Sequence, residues 1–503
     1  MPNRIDRREF IKQSAIATAV FSASPASLFG AGQARVRAGL KTVAEIEKAA
    51  IRKFALRLRG QALLPGDRNY ESACRDWTGR IPNVPGLVVR CAGTEDVVAA
   101  VNFARDHGVL VAVRGGGHGL RSTDGGMLID LSPMKKSAVN TAQRVARAEP
   151  GVTVGELDKA TGPSRLAAVL GECPSVGISG FTLGGGFGRL MGQHGAACDN
   201  LLTAEIVTAE GKVLRASEGE NADLFWGIRG GGGNFGIATA FEYRIHPVRQ
   251  VLSGMLAYPM SAARAVLRFF GEYLTAAPDQ LDALIEIGSG ILQYAPDAQV
   301  PTVVVNVCCG GDLRAAEETL RPLRTFGPPT SDTVRQMSYL DAQGLGSLVP
   351  FLNHATPRYS GYFKTGFVTG LGDAAIDAIV AHCEKPPSGS WSVAFDHYLH
   401  GAICRVPESD MAFSLRQSGY SFRLTSYEEG VGQPNASTAW GTSLSRALDP
   451  FSGGRMYLNY LTDQGEEGVR AAVGSNYSRL AALKKTYDPT NFFRLNPNIE
   501  PAV

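Results

Sequence analysis

Hydrophobic and polar positions change period several times along the chain, and each change predicts an element. Val43–Arg59 has helical spacing with mixed charge, and Gln61–Pro85 is rich in turn residues. Leu87-Val88-Val89-Arg90 is a short apolar run of the kind that forms a buried strand. Thr94 then sits where a helix N-cap belongs, with Glu95 and Asp96 in the positive first turn and Val97, Val98, Val101 and Ala104 forming an apolar face. Val109–Val113 is a second apolar run, so this region predicts a β–α–β unit. A strand at Met127–Leu131, a turn at Pro150-Gly151 and a short helix at Val154–Ala160 follow. Ala204–Thr208 and Lys212–Ala216 flank Ala209-Glu210-Gly211, which predicts a hairpin, and Ile237–Ile245 predicts a strand.

From about Val248 strands alternate with amphipathic helices. Ala262–Thr275, Leu313–Leu323 and Asp373–His382 have helical spacing. Leu281–Ile287, Thr302–Cys308, Ser360–Phe363, Ser392–Leu399 and Ser421–Ser426 have strand character. The expected fold class is α+β, with a large, mostly antiparallel sheet covered by helices on one face. Tyr457-Leu458-Asn459-Tyr460 also reads as a strand, on which Tyr457 and Asn459 face one way and Tyr460 the other.

Composition narrows the function classes. The 503 residues are 44% hydrophobic, which suits a large globular core. A net charge of only +3 gives no case for nucleic acid or a membrane surface. The eight cysteines form no C-x-x-C pair and no disulfide framework, so apart from Cys173 buried thiols are expected, and zinc and iron–sulfur sites lack support. Asp6-Arg7-Arg8-Glu9-Phe10-Ile11-Lys12, followed by the mildly apolar Ala15–Ala31, resembles a twin-arginine export signal. Residues 1–34 are therefore expected to be a signal handled by the twin-arginine export machinery, with a periplasmic or secreted product and no membrane anchor.

The 59 glycines cluster in loops. Arg114-Gly115-Gly116-Gly117-His118-Gly119, followed by Leu120, continues from the Val109–Val113 strand. Successive amides in such a loop form an anion-binding nest, and His118 places one nucleophile inside it. A second glycine-dense stretch runs Gly171-Glu172-Cys173-Pro174-Ser175-Val176-Gly177-Ile178-Ser179-Gly180-Phe181-Thr182-Leu183-Gly184-Gly185-Gly186-Phe187-Gly188, with Cys173 near its head. Its Gly184-x-Gly186-x-Gly188 spacing is not that of a Rossmann dinucleotide loop, which argues against a nicotinamide cofactor. Further on come Asp223–Arg229 leading into Gly230-Gly231-Gly232-Gly233-Asn234-Phe235-Gly236 and then Ile237, and a terminal stretch Tyr487-Asp488-Pro489-Thr490-Asn491-Phe492-Phe493-Arg494-Leu495-Asn496.

Together these stretches resemble the berberine bridge enzyme-like flavoproteins of the vanillyl-alcohol oxidase/p-cresol methylhydroxylase (PCMH) superfamily. The resemblance implies FAD held by two covalent bonds, from His118 to the flavin 8α-methyl carbon and from Cys173 to flavin C6. It implies a two-part PCMH-type FAD-binding domain over 35–247, a substrate-binding domain over 248–455, and a berberine-bridge segment over 456–503 that returns to the FAD domain. Arg114, Gly115, Gly116, Gly117, Gly119, Leu120, Val176, Gly177, Gly180, Gly184, Gly236, Ile237, Asn459 and Asn496 are the further expected cofactor contacts.

The Y-x-N-Y motif supplies the expected base, Tyr460 with Tyr457 as the alternative. A free tyrosine, with a pKa near 10, needs help from its surroundings for that role. Val176 occupies the family's oxygen-gate position, where valine goes with oxidases, so O2 is the expected acceptor and a carbohydrate or secondary-metabolite alcohol the expected substrate. A dehydrogenase using a quinone or other acceptor, and a protein that binds FAD without turnover, are the competing readings. Asp396, His397, His400, Arg405 and Arg416 are candidates for the pocket wall, each more readily explained singly as a solvated or paired residue. The closely spaced His397 and His400 lack a third ligand for a metal.

Overall fold

The computed structural model of the chain describes residues 39–503 apart from 78, 80, 82, 120–121, 290–299, 346–358, 430–435 and 462–464. The expected export signal and Leu120 lie outside the described residues. The remaining chain has the expected α+β character, with helices packed on one small mixed sheet and on larger antiparallel sheets.

Two sheets form the half that carries the glycine loops. In the first, Gln61–Leu63, Leu87–Arg90, Met127–Asp130 and Val111–Arg114 lie side by side, the last three parallel. The helix Thr94–His107 connects two of these strands. Its N-cap is Gly93 rather than the expected Thr94, because the Thr94 hydroxyl instead donates to Glu205 Oε1 at 2.8 Å. The buried Asp96 carboxylate accepts from the backbone amides of Arg59, Gly60 and Ala92, each at 2.8 Å, and so ties the helix start to two loops. The second sheet is antiparallel, in the order Ser137–Asn140, Val145–Ala148, Ile237–Arg244, Leu201–Val207, Val213–Ser217. It contains the expected hairpin.

An eight-stranded antiparallel sheet fills the other half. Six of its strands run in the order Gln250–Pro259, Thr302–Cys309, Leu281–Ser289, Ser390–Leu399, Gly419–Glu429, Tyr359–Val368, the last at the edge. Side chains alternate across it. Leu281, Ala283, Ile285, Ile287, Val303, Val305, Val393, Phe395, Phe422 and Leu424 face the helices Ala263–Leu274, Asp373–Cys383 and Ala436–Leu448 in one apolar core. Each large side chain buried there contributes roughly 1.5–3 kcal/mol. Asp282, Glu286, Asn306, Ser392, Asp396, Ser421 and Thr425 point the opposite way, yet they are buried too. A buried polar face costs free energy unless its groups are paired, so it needs a partner surface.

Tyr460, near the start of the last segment, meets that face, and the rest of the segment crosses to the first half. The helix Tyr477–Tyr487 carries Lys484, fully buried, whose Nζ donates to Asp488 Oδ2 at 2.6 Å, Asn234 O at 2.8 Å and Phe493 O at 2.9 Å. Asn234 in turn donates to Pro497 O at 3.0 Å and accepts from the Ile499 amide at 2.9 Å. Residues 457–460 are not the expected strand. Leu458–Tyr460 is a 3-10 turn closed by the Tyr460 amide on Tyr457 O at 2.9 Å.

Candidate active site

The two glycine loops meet backbone to backbone. A methyl group added at Gly116 would overlap the Gly177 main chain, and one at Gly177 would overlap Gly116. One added at Gly115 would strike the Ser179 side chain. Gly117 takes φ +84°, a conformation that strains other residues. The Cys173 loop is pinned by the Val176 amide on Cys173 O at 3.1 Å, the Val154 amide on Val176 O at 2.8 Å and the Ile178 amide on Val152 O at 3.0 Å.

This meeting brings His118 and Cys173 together around one hydroxyl. Ser175 Oγ lies 3.0 Å from His118 Nε2 and 3.4 Å from Cys173 Sγ. The His118 ring is stacked on Trp77 with centroids 4.3 Å apart and planes 9° apart. Burial pulls the His118 pKa down to about 4, against the opposing charge of Asp76, so the imidazole is neutral at neutral pH and keeps a lone pair.

The surroundings fit a large polar cofactor. Trp77 Nε1, Ser122 Oγ and, on the returning segment, Asn496 Oδ1 and Asn498 Oδ1 are buried without a hydrogen-bond partner among the described residues. Such groups are rare in a finished interior and suit the donors and acceptors of FAD. Asn496 uses its amide nitrogen on Gly233 O at 3.2 Å and Phe493 O at 3.0 Å, leaving the carbonyl oxygen for a ligand. Gly119 and Gly180 are exposed, and the Gly180 Cα has open space beside it. The other expected contacts also have neighbours within the protein. Arg114 pairs with Asp130 at 2.9 Å and donates to Arg75 O at 3.0 Å. Gly236 lies where a methyl group would strike Val207 O, and Ile237 is buried beside it in the five-stranded sheet. Val176 is half-buried against the main core.

The two tyrosines of the Y-x-N-Y motif differ in surroundings. Tyr457 is buried, stacked on Phe187 at 4.1 Å, and its phenol oxygen accepts from the Gly186 amide at 2.7 Å and from Asn459 Nδ2 at 2.9 Å. Asn459 Nδ2 also donates to Phe181 O at 3.0 Å, and a methyl group at Gly184 would overlap the Asn459 amide. Burial holds the Tyr457 phenol well above its ordinary range. Tyr460 contacts Phe187 and Phe367 edge-on or face-on, at 6.3 and 6.4 Å. Its phenol is also raised, first by burial and then by the charge of Asp396, while Arg423 and a hydrogen bond with Ser421 act the other way. Tyr460 therefore looks onto the polar face of the eight-stranded sheet.

That face forms one buried charge network. Register places Asp396 between Leu284 and Ser421, and Arg423 beside Ala394. Asp396 Oδ2 accepts from Ser421 Oγ at 3.3 Å and lies 3.7 Å from Arg423, while Asp396 Oδ1 has no partner among the described residues. Burial pushes the Asp396 pKa up to about 6. Arg189 donates to Asp282 at 2.6 Å and to Glu172, the neighbour of Cys173, at 3.1 Å. Burial likewise raises Asp282. The network thus runs from the Cys173 loop to the sheet.

Of the five candidates for the pocket wall, Asp396 alone belongs to this network. Arg416 forms a buried two-pronged pair with Asp199 at 2.7 and 2.8 Å, and Arg405 pairs with Asp279. His397 points to the other sheet face, stacked on His400 at 4.4 Å and near Tyr420. Glu172, Ser175, Arg189, Asp282, Glu286, Ser421 and Arg423 were not singled out from the sequence. The signal for two of them was present, since Asp282 and Glu286 interrupt an otherwise apolar strand on one face.

The description FAD binding domain matches residues 85–217, and the description Berberine and berberine like matches residues 456–500. An FAD-linked oxidoreductase of Dictyostelium discoideum is 30% identical over 458 residues, covering 90% of this chain and 97% of the relative. The (R)-6-hydroxynicotine oxidase of Paenarthrobacter nicotinovorans is 31% identical over 466 residues, covering 89% of this chain and 98% of its own. Among solved structures, 6-hydroxy-D-nicotine oxidase from Arthrobacter nicotinovorans superposes with a TM-score of 0.77 at 30% identity, over 89% of this chain and 99% of that one. A chitooligosaccharide oxidase has the same fold, with a TM-score of 0.78 at 24% identity over 90% and 100% of the two chains.

Proposed function

Because the chain belongs to the berberine bridge enzyme-like FAD-linked oxidoreductases, we propose that it is an oxidase of a carbohydrate or secondary-metabolite alcohol, with FAD bound covalently through His118 and Cys173. His118, Cys173 and the loops that carry them would hold FAD, which would supply a hydride acceptor for the substrate CH–OH carbon and pass the electrons to O2 as hydrogen peroxide.

The chain's own part is to orient the alcohol and take its hydroxyl proton. Tyr460 is the proposed base. The observation that carries this reading is the position of its phenol among Asp396, Arg423 and Ser421 on a buried polar face linked to the Cys173 loop. A phenol raised by burial is a poor base alone. Asp396, its pKa pushed up to about 6 by burial, is ionised at neutral pH and can take the Tyr460 proton through the Ser421 hydroxyl as Tyr460 takes the substrate's. Ser421 and Arg423 hold the carboxylate in place. Phe187 and Phe367 pack apolar surface against the half-buried Tyr460 ring. Tyr457 positions the Gly186 loop. The reading includes export by the twin-arginine route, supported by Arg7-Arg8 and the apolar run after them.

A panel of alcohols with paired oxygen-uptake and peroxide readouts tests it. One peroxide per O2 consumed is expected with at least one alcohol. A reduced flavin that persists for minutes in air would replace the oxidase with a dehydrogenase.

A further inference from the structure

The hydroxyl between His118 and Cys173 has no role in the chemistry above. Ser175 Oγ is within hydrogen-bond reach of both nucleophiles, at 3.0 Å from Nε2 and 3.4 Å from Sγ. It stands on a turn fixed at both sides, by the Val176 amide on Cys173 O and the Gly155 amide on Pro174 O at 3.0 Å. A hydroxyl has one proton to give and lone pairs to receive another, so it can pass a proton between two neighbours without holding charge.

We propose that Ser175 is a positioning residue for cofactor attachment, relaying the Cys173 thiol proton to His118 Nε2. This rests on the two-bond reading above. The thiolate, not the thiol, is the nucleophile. Cys173 lacks a cation within its own loop, and Glu172 beside it is acidic, so the thiol proton leaves through a neighbour; the His118 imidazole, a weak base because it is buried, is the acceptor that Ser175 reaches. The Cys173 S–H proton passes to Ser175 Oγ while the Ser175 proton passes to His118 Nε2. Sulfur then bonds flavin C6 and the C6 hydrogen leaves as a proton. The two electrons released stay on the ring until O2 takes them with two protons, giving hydrogen peroxide. His118 keeps its own bond-forming role at the 8α carbon.

The test follows attachment rather than turnover. Full-length wild type, Ser175→Ala, Ser175→Thr and His118→Ala are purified at intervals after induction and digested. The flavin-bearing fraction of the peptide carrying residue 173 is counted per mole of FAD bound. Ser175→Ala is expected to slow its appearance at least ten-fold while the residue-118 adduct forms normally. Ser175→Thr should restore the wild-type rate, and His118→Ala should slow the residue-173 adduct as much as Ser175→Ala does. A wild-type rate in Ser175→Ala, or an equal loss in Ser175→Thr, overturns the relay. A wild type with FAD bound but no adduct at either peptide overturns the two-bond reading itself.

Discussion

The phenol oxygen of Tyr457 accepts the backbone amide of Gly186 at 2.7 Å. With Asn459 Nδ2 as a second donor at 2.9 Å, that oxygen is a fixed part of the glycine loop, which leaves Tyr460 for chemistry. Tyr460→Phe is expected to lower kcat by at least about a hundred-fold with the melting temperature nearly unchanged, in line with loss of a general base. Tyr457→Phe should instead cost about 1–3 kcal/mol of stability, because it strands a buried amide. Steady-state kinetics and thermal melts on both variants separate the roles. The reverse pattern would make Tyr457 the base.

The pH profile follows Asp396. Its pKa is pushed to about 6 by burial, so kcat/KM should fall as pH drops through about 6, where the carboxylate becomes protonated and can no longer accept. Asp396→Asn should lower activity and flatten that acid limb. Stability moves the other way. A carboxyl whose folded pKa lies above its ordinary 3.8 binds more protons when folded, so its ionisation costs stability as pH rises from about 4 to about 6. Burial also raises Asp158, to about 7, and adds to the same trend. The buried His118 and His246, both held down to about 4, act the other way over the same range, so the test is a difference: Asp396→Asn should gain stability relative to wild type from pH 4 to 7, and a difference that stays flat or shrinks would contradict it.

Lys484 is the peg of the returning segment. Replacing it with Met removes the buried cation and leaves the Asp488 charge held only by the Phe492 and Phe493 amides, a change expected to cost about 3–5 kcal/mol. The thermal midpoint should fall, and flavin retention with it, because Asn234, Phe493 and the segment around Asn496 lose a shared tether. An unchanged melt would show that the segment is held mainly by its apolar contacts.

Gly116→Ala tests the meeting of the two loops. The new methyl group overlaps the Gly177 backbone, which cannot yield as a side chain end would. FAD content, read from the visible absorbance of purified protein, is expected to fall about ten-fold or more, a difference of about 1.4 kcal/mol per decade. Full loading of the variant would place the cofactor away from this contact.

Much of this architecture was legible in the sequence because alternation and apolar runs are local properties. Leu281–Ile287, Ser392–Leu399 and Ile237–Ile245 all became strands close to their expected bounds. The glycine loops were recognisable as cofactor loops from their residue types. Partners were not legible. Nothing local says that Arg189 meets Asp282, 93 positions away. Two local readings failed for the same reason. Thr94 gave its hydroxyl to the distant Glu205 rather than to its own helix. Tyr457–Tyr460, strand-like in composition, turned because Tyr457 is held by Gly186, 271 positions away.

The central claim is a flavin tethered at two points, and flavin release on denaturation tests it most directly. Wild type, His118→Ala, Cys173→Ala and the double variant are loaded, unfolded in guanidinium and passed through a membrane that retains protein. The yellow colour is expected to stay with the first three and to pass into the filtrate only with the double variant. Flavin that washes freely from the unfolded wild type, or from either single variant as completely as from the double, would contradict it.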